Sequence, residues 1–246
     1  MNAPATVSLP PLRTRIKICG LTRERDVDAA VAAGADAIGF VMYAPSPRAV
    51  TPMRAAELAK RLPPFVTPVL LFVNETATNV IAASAYVSSA VLQFHGDESP
   101  EQCWASSGDG AHTWLRAARI PVGEDGARFP LIEYAQQYSR AQAILLDAHV
   151  DAYGGGGKAF NWSLLPPSVA SHLVLSGGLT PANVTDGILQ VRPRCKSLAV
   201  DVSSGVECDA PGGGTQKGIK DADKIQRFVA AVRAADAILA RTHSNV

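Results

Sequence analysis

Cys19 is a candidate general base because of where it falls in the sequence. It closes the β-type run 15–19 and stands directly before Gly20. A thiolate can remove a proton, and a cysteine at the end of a strand is better placed for this than one in the middle. The alternative is that Cys19 is a small buried hydrophobic residue.

Asp147 is the matching candidate for a general acid. It follows four apolar residues, 143–146, and a carboxylate there is expected to point into a rim that is poor in water. His149 and Asp151 lie close enough to compete for this role, but they belong to a segment that leads into glycines. The alternative is that Asp147 only makes structural hydrogen bonds. A base and an acid on different strands predict proton-transfer chemistry without a metal.

Three glycine-rich segments in the second half of the chain are candidates for binding phosphate. Glycine lets the backbone approach a ligand closely, and free N–H groups attract phosphate oxygens. The alternative is that these glycines only form turns. Neither a dinucleotide-binding nor a nucleoside-triphosphate glycine motif is matched well. The segments are 154–158, 176–179 and 201–205, and the residues predicted to contact phosphate are Gly156, Gly157, Gly177, Gly178, Ser203 and Ser204.

Arg48, His95 and Asp201 are candidates for binding the rest of a substrate. Arg48 lies in a loop stiffened by prolines, and its forked guanidinium suits a carboxylate on a ligand. Its alternative is an ion pair with a neighbouring loop. His95 and Asp201 each follow an apolar run, although His95 is alternatively a hydrogen-bonded polar residue that lines the rim without carrying a proton.

The predicted strands and helices around these side chains repeat as eight units, each a strand followed by a helix or a short segment. About 31 residues per unit suits a parallel sheet with helical crossovers. Eight units and 246 residues favour a single closed (β/α)8 TIM barrel over a doubly wound sheet. We expect a loose tail at 1–14, the barrel at 15–241 and a short tail at 242–246. In such barrels the active site lies at the carboxyl ends of the strands, which is where the candidate residues fall.

Composition restricts the class of protein further. Hydrophobic residues make up 47% of the chain, charged residues 18%, and the formal net charge is +1. With no charged run, neither nucleic acid nor a membrane surface is favoured as a partner. The apolar runs have the length of strands, well short of the roughly 18 residues of a spanning helix. Four cysteines without metal-ligand spacing predict a reducing, cytoplasmic setting.

Several of these segments resemble the phosphoribosylanthranilate isomerase family. They occur in order from about residue 15 to about residue 230, which is nearly the whole predicted barrel. The most specific are the first and the last, 17–22 and 201–207; the others are 46–48, 72–74, 93–98, 145–147, 176–179 and 183–184.

The resemblance implies an isomerase of tryptophan biosynthesis. It would convert N-(5-phosphoribosyl)anthranilate into 1-(o-carboxyphenylamino)-1-deoxyribulose 5-phosphate by an Amadori rearrangement. By this likeness Asp147 is the acid that protonates the ribose ring oxygen, and Cys19 is the base that removes the proton from sugar C2. An internal redox reaction of this kind implies no cofactor, and the protein is expected to be a monomer or a homodimer.

Two other functions stay open on sequence grounds. The related phosphoribosyl isomerase of histidine biosynthesis performs the same chemistry, but an aspartate is expected where Cys19 stands. A non-catalytic phosphosugar-binding barrel is the other.

The sequence departs from the family pattern at three places. Residues 154–157 read Gly-Gly-Gly-Gly where the family usually has Gly-Gly-Thr-Gly, and Asn161 stands where the family usually has aspartate. The segment 211–221 is longer than in the family pattern.

Overall fold

Eight parallel strands close into a barrel in the order of the sequence. The structure, a computed structural model, describes residues 13–149 and 161–244. The predicted TIM barrel is therefore confirmed. The strands are β1 (Arg15–Cys19), β2 (Ala37–Val41), β3 (Thr67–Phe72), β4 (Val91–Phe94), β5 (Trp114–Pro121), β6 (Ala143–His149), β7 (Val169–Leu175) and β8 (Cys195–Val202).

Helices follow the strands on the outside of the barrel. They are α1 (Glu24–Ala33), α2 (Pro52–Ala59), α3 (Ala77–Ser84), α4 (Pro100–Ser106), α5 (Leu131–Gln137), α6 (Val184–Val191) and α7 (Ala222–Ser244). Between β6 and β7 the described residues contain only the 3₁₀ turn Trp162–Leu164. No helix in the described ranges combines the length and the apolar character needed to span a bilayer.

Local sequence signals explain where the helices begin and end. Thr51 accepts a hydrogen bond from the backbone N–H of Arg54, and Pro52 occupies the first helical position of α2. Ser99 and Gln102 form a reciprocal capping box at the start of α4. Gly34, in the left-handed region at φ 94°, ends α1.

Successive side chains of β1 point alternately to the apolar core outside the barrel and to the barrel interior. Ile16 and Ile18 are fully buried in the large apolar cluster between the barrel and its helices. Lys17 and Cys19 have the opposite parity, so their side chains face the barrel interior. The same strand therefore supplies both the packing face of the barrel and a polar interior.

Two strands that carry candidate site residues extend further at their carboxyl ends than the apolar runs predict. β6 was expected to stop at residue 146, but it continues to His149, so Asp147 lies within the strand instead of after it. Pairing of β5 with β6 explains the extension, because Arg119 aligns with Asp147 and Pro121 with His149. The backbone ladder continues where the apolar side chains stop. Asp201 is likewise inside its strand, β8.

Three further elements differ from the prediction. The sequence at 127–138 predicts one helix, but Pro130 separates a 3₁₀ turn, Glu124–Arg128, from the shorter α5, because Phe129 before it is held in an extended conformation. α7 continues through residues 242–244, which were expected to be a tail. The long segment before α7 contains an antiparallel hairpin, β9 (Glu207–Asp209) and β10 (Thr215–Lys220).

Candidate active site

One pocket lies at the carboxyl ends of the barrel strands and collects the predicted site residues. Its lining includes side chains from separate strands and loops, which the closed barrel brings to one rim. Gly156 and Gly157 lie outside the described residues. The predicted residues that line the pocket are Cys19, Arg48, His95, Asp147, Gly177, Gly178, Asp201, Ser203 and Ser204.

Cys19 is the last residue of β1, and its sulfur lies in the barrel interior. The residue is 5% exposed and packs against Val41, Leu71 and Val73. Burial raises the pKa of its thiol above the ordinary value, the charge of Lys17 opposes that rise, and Asp201 adds to it. Cys19 is therefore part of an apolar cluster and also of a charged one.

Asp147 is held by two hydrogen bonds that leave it facing the pocket. Its Oδ2 is 2.9 Å from Nε2 of His95, and its Oδ1 accepts from the backbone N–H of Ala148 at 3.0 Å. Nδ1 of His95 lies 3.0 Å from Nε2 of Gln93. With Gln93 as donor, the ring proton is on Nε2 and points to Asp147. Asp147 and His95 thus form one hydrogen-bonded unit on two strands.

Arg48 makes a buried ion pair that its expected ligand-binding role did not include. Its Nε and Nη2 donate to the two carboxylate oxygens of Glu207 at 2.7 and 2.8 Å. This side-on pair uses one edge of the guanidinium, and the N–H groups of the Nη1 edge have no partner among the described residues. Arg48 can therefore serve both predicted roles. One edge of its guanidinium pairs with Glu207, and the other edge is available to a ligand in the pocket that Arg48 lines.

Glu207 also holds the hairpin against the barrel. It accepts from the backbone N–H of Gly218 at 2.8 Å and from Nζ of Lys220 at 3.3 Å. Burial alone would raise the pKa of Glu207, but hydrogen bonds from Arg48 and the charge of Lys220 hold it below its ordinary value. The ion pair of Glu207 with Arg48 thus helps to anchor the longer segment before α7 on the pocket wall.

The glycines after β7 and β8 allow two loops to approach closely. Gly177 and Gly178 adopt left-handed φ values of 73° and 65°. A Cβ on Gly205 would lie 1.9 Å from the backbone oxygen of Leu179, so only glycine fits where the loops meet. Lys220 donates to the backbone oxygen of Ser203 at 2.9 Å, which ties the hairpin to the second loop. Gly177, Gly178 and Ser203 thus lie on one side of the pocket.

Sequence reasoning gave no separate role to four polar residues of this region: Lys17, Gln93, Glu207 and Lys220. The first three lie in the motifs that carry the family resemblance. A period-2 reading of β1 could have found Lys17, because a charge two positions before Cys19 shares its face. No local signal could have paired Arg48 with Glu207, which are 159 positions apart.

None of the other three cysteines lines the pocket. Cys103 is fully buried, and burial raises its pKa to about 12. Burial also raises the pKa of Cys195 to about 11. Cys208 is half-buried and, like the others, forms no disulfide. Among the described residues no cluster of three or more His, Cys, Asp or Glu side chains could hold a metal ion.

Because Arg48 pairs with Glu207, replacing it should affect both ligand binding and the stability of the fold. Arg48→Ala is expected to weaken a ligand that carries an aromatic carboxylate by about 1.5–3 kcal/mol, for a lost charge-assisted hydrogen bond. It should also lower the free energy of unfolding, since Glu207 is left with fewer partners. Arg61→Ala is a suitable control, because Arg61 pairs with Asp28 on the surface, where such pairs contribute about 0–1 kcal/mol.

Calorimetry with two ligands measures the binding effect. A sugar phosphate without the aromatic carboxylate should bind Arg48→Ala nearly as well as it binds the unmodified protein. Equal weakening of both ligands would mean that Arg48 acts only by holding the hairpin or the phosphate loops.

The fold and the site define a class: a TIM-barrel enzyme with a thiol, a carboxyl and glycine loops suited to phosphate at one rim. The sequence model of the N-(5'-phosphoribosyl)anthranilate (PRA) isomerase family matches residues 16–231. The chain belongs to this family.

Individual relatives agree with the family match. An N-(5'-phosphoribosyl)anthranilate isomerase of Methylibium petroleiphilum is 60% identical over 229 residues, covering 93% of this chain and 98% of that protein. A phosphoribosyl anthranilate isomerase solved with reduced 1-(o-carboxyphenylamino)-1-deoxyribulose 5-phosphate has a TM-score of 0.71 and 36% identity, covering 90% and 99%. Monomers generated from the dimeric enzyme of Thermotoga maritima have a TM-score of 0.69 and 35% sequence identity to this chain, covering 90% of this chain and 99% of that one.

Proposed function

We propose that this chain catalyses the Amadori rearrangement of N-(5-phosphoribosyl)anthranilate to 1-(o-carboxyphenylamino)-1-deoxyribulose 5-phosphate, a step of tryptophan biosynthesis. The observation that carries this proposal is that Cys19 and Asp147, on different strands, line one pocket together with glycine loops and Arg48. The pocket can thereby offer a base, an acid, an anion site and a carboxylate site to one substrate. Family membership supports the same reaction.

The phosphate and the carboxylate of the substrate fix its direction in the pocket. Backbone N–H groups of Gly177, Gly178, Ser203 and Ser204 would take the phosphate, because glycines there let the main chain come close. The free edge of Arg48 would take the anthranilate carboxylate. The sugar is then held between these two anion sites, across the rim where Cys19 and Asp147 lie.

Ring opening needs a proton on the ribose ring oxygen, and Asp147 would supply it. Oδ2 accepts from His95 and Oδ1 accepts from the backbone N–H of Ala148, so the carboxyl proton would occupy the second lone pair of one of these oxygens. Oδ1 lies beside Gly177 in the lining of the pocket. Transfer of that proton breaks the bond between the ring oxygen and C1 and leaves an iminium. His95 would keep the carboxyl oriented during this step and would not carry the proton itself.

Cys19 would then remove the proton from C2. The electron pair of that C–H bond neutralises the iminium and forms an enolamine, and the sulfur becomes a thiol. Tautomerisation to the ketone completes the rearrangement. Asp201 would bind a sugar hydroxyl, because its Oδ1 is buried and makes no hydrogen bond with any described residue.

Loss of anthranilate-type fluorescence tests this function. When the purified protein is supplied with the phosphoribosyl substrate, the fluorescence of that substrate should decrease with time. With the Cys19→Ala variant the fluorescence should stay nearly constant. A folded protein that binds phosphate but leaves the fluorescence unchanged would instead be the non-catalytic phosphosugar-binding barrel. Turnover of the histidine-pathway substrate alone would point to the related isomerase, which Cys19 disfavours.

The chain would work in the cytoplasm on a small molecule, without nucleic acid or membrane as partner. Its formal net charge of +1 gives no strong overall attraction to nucleic acid or to an anionic membrane surface. Its four cysteines are unpaired thiols, which suits a reducing compartment.

Of the two expected oligomeric states, monomer and homodimer, we propose the homodimer. Phe65, in the loop between α2 and β3, is fully exposed and sits beside a cavity of about 700 Å³ at the amino-terminal end of the barrel. A fully exposed aromatic side chain next to such a cavity suits burial against a second copy of the chain. The solved Thermotoga maritima relative derives from a dimeric enzyme.

Phe65→Asn tests the dimer. Phe65 has a φ of 71°, which asparagine tolerates better than most residues, so the loop should keep its shape. Light scattering over a range of concentrations should show dimers for the unmodified protein and mostly monomers for the variant. Met53→Asn, which also removes an exposed apolar side chain, should stay dimeric. A monomeric unmodified protein would contradict the proposal.

A further inference from the structure

Lys17 is a buried cation that none of the steps above uses. Its side chain is enclosed in the barrel and its Nζ lies 2.8 Å from Oδ2 of Asp201. The two residues are direct neighbours in the pairing of β1 with β8. Burying an ammonium is costly even when it is paired. A cation kept at this position therefore calls for a reason beyond packing.

The same cation lies beside the sulfur of Cys19. Gly39, on the neighbouring strand β2, leaves room for both side chains: a Cβ there would be 2.7 Å from Sγ of Cys19 and 3.1 Å from Cε of Lys17. Both side chains therefore lie over the same glycine. Any other residue at position 39 would displace one of them.

The charges around Cys19 act in opposite directions. Burial is the largest influence and raises its thiol pKa, while the ammonium of Lys17 is the strongest influence that lowers it. Burial alone would lower the pKa of Lys17, but Asp201 and Cys19 together raise it, which keeps the ammonium charged. A thiolate formed at Cys19 therefore has a permanent cation at its side.

We propose that Lys17 is a positioning residue for the reaction: its ammonium, held by Asp201, stabilises the Cys19 thiolate that removes the C2 proton. The inference rests on the proposed function, in which Cys19 is the base. Asp201 fixes Lys17 with one oxygen and keeps the other toward the pocket. β1 would thus supply both the base, Cys19, and the ammonium of Lys17 that stabilises its thiolate form.

Other charged and titratable groups near Cys19 do not duplicate this role. Lys220 on β10 lowers the thiol pKa less than Lys17 does, and its own charge is engaged by Glu207. The charged and titratable groups that face Cys19 or share its pocket are Lys17, Asp201, Lys220, Tyr43, Arg48, His95 and Asp147.

The test is the titration of Cys19 in the free protein, followed by the ultraviolet absorbance of the thiolate and referenced to Cys19→Ala. Lys17→Met should move this titration upward by about 1–3 pH units, the effect of losing a nearby opposite charge. Lys17→Arg should stay close to the unmodified protein. Lys60→Met, the same change at an exposed lysine of the outer surface, is the matched control and should not move it.

Steady-state kinetics add a second readout. The ascending limb of kcat against pH should shift upward by the same amount in Lys17→Met, so that kcat at neutral pH falls tenfold or more while KM changes little. A Lys17→Met protein whose thiol titrates like the unmodified one overturns the inference. If circular dichroism shows that Lys17→Met does not fold, Lys17→Gln decides instead. An upward shift of its thiol titration supports the role of Lys17, and an unchanged titration overturns it.

Failure of this inference differs from failure of the proposed function. The titration uses no substrate, so it reports on Lys17 whether or not the protein turns over phosphoribosylanthranilate. An unmodified protein that leaves the fluorescence of that substrate unchanged would remove the function and leave the thiol titration as it stands.

Discussion

Cys19→Ala is expected to lower kcat by about 10²–10⁴-fold, because alanine cannot accept the C2 proton. Binding of a product analogue should change little, since the phosphate loops and Arg48 hold the ligand independently of the sulfur. The protein should stay folded, because the loss is one sulfur atom at the edge of an apolar cluster. Single-turnover rates and analogue affinity, measured on the same preparation, check both parts.

Cys195→Ala is the matched control for this substitution. Cys195 begins β8, so it lies at the amino-terminal end of the barrel, away from the pocket. The same chemical change there should leave kcat near that of the unmodified protein. A Cys19→Ala variant as active as this control would exclude Cys19 as the base.

Asp147→Asn is expected to remove most of the activity with little loss of stability. The amide keeps the size of the carboxyl, and its oxygen can still accept from Nε2 of His95, but it has no acidic proton to give. A fall in kcat of about 10²–10⁴-fold is the size associated with a general acid. Circular dichroism and kcat, compared between the variant and the unmodified protein, check the two parts.

Two controls accompany Asp147→Asn. Asp28→Asn changes an exposed carboxylate on α1 and should leave kcat unaffected. Asp151→Asn addresses the competing acid and should retain most of the activity. Normal turnover by Asp147→Asn together with an inactive Asp151→Asn would reassign the acid to position 151.

The fold was predictable because its signal repeats. Apolar runs alternate with helical segments, and caps such as Pro52 in α2 and Gly34 after α1 mark boundaries that need no tertiary information. The ends of β6 and β8 were not predictable in this way. Asp147 and Asp201 continue their strands through backbone pairing with a neighbour, which an apolar side-chain pattern does not report.

The candidate acid and base of the site could be predicted from the sequence, but the hydrogen bonds and ion pairs around them could not. Cys19 and Asp147 stand where strand ends meet, so their shared pocket follows from the barrel itself. The hairpin β9–β10 and its anchor Glu207 depend on contacts across the whole chain, and the glycines of the segment gave no strand signal. The pairing of Lys17 with Asp201 likewise appears only when the first and last barrel strands close the ring.

A crystal structure with reduced 1-(o-carboxyphenylamino)-1-deoxyribulose 5-phosphate tests the central claim, the division of base and acid across one rim, most directly. The reduced compound stands for the product, so its sugar carbons mark the reacting atoms. We expect phosphate at Gly177, Gly178, Ser203 and Ser204 and the carboxylate on Arg48. We also expect sugar C2 in contact with Sγ of Cys19, and Asp147 within hydrogen-bond distance of the oxygen that leaves the ring. A ligand bound with its sugar away from Cys19, or with Asp147 turned out of contact, would contradict it.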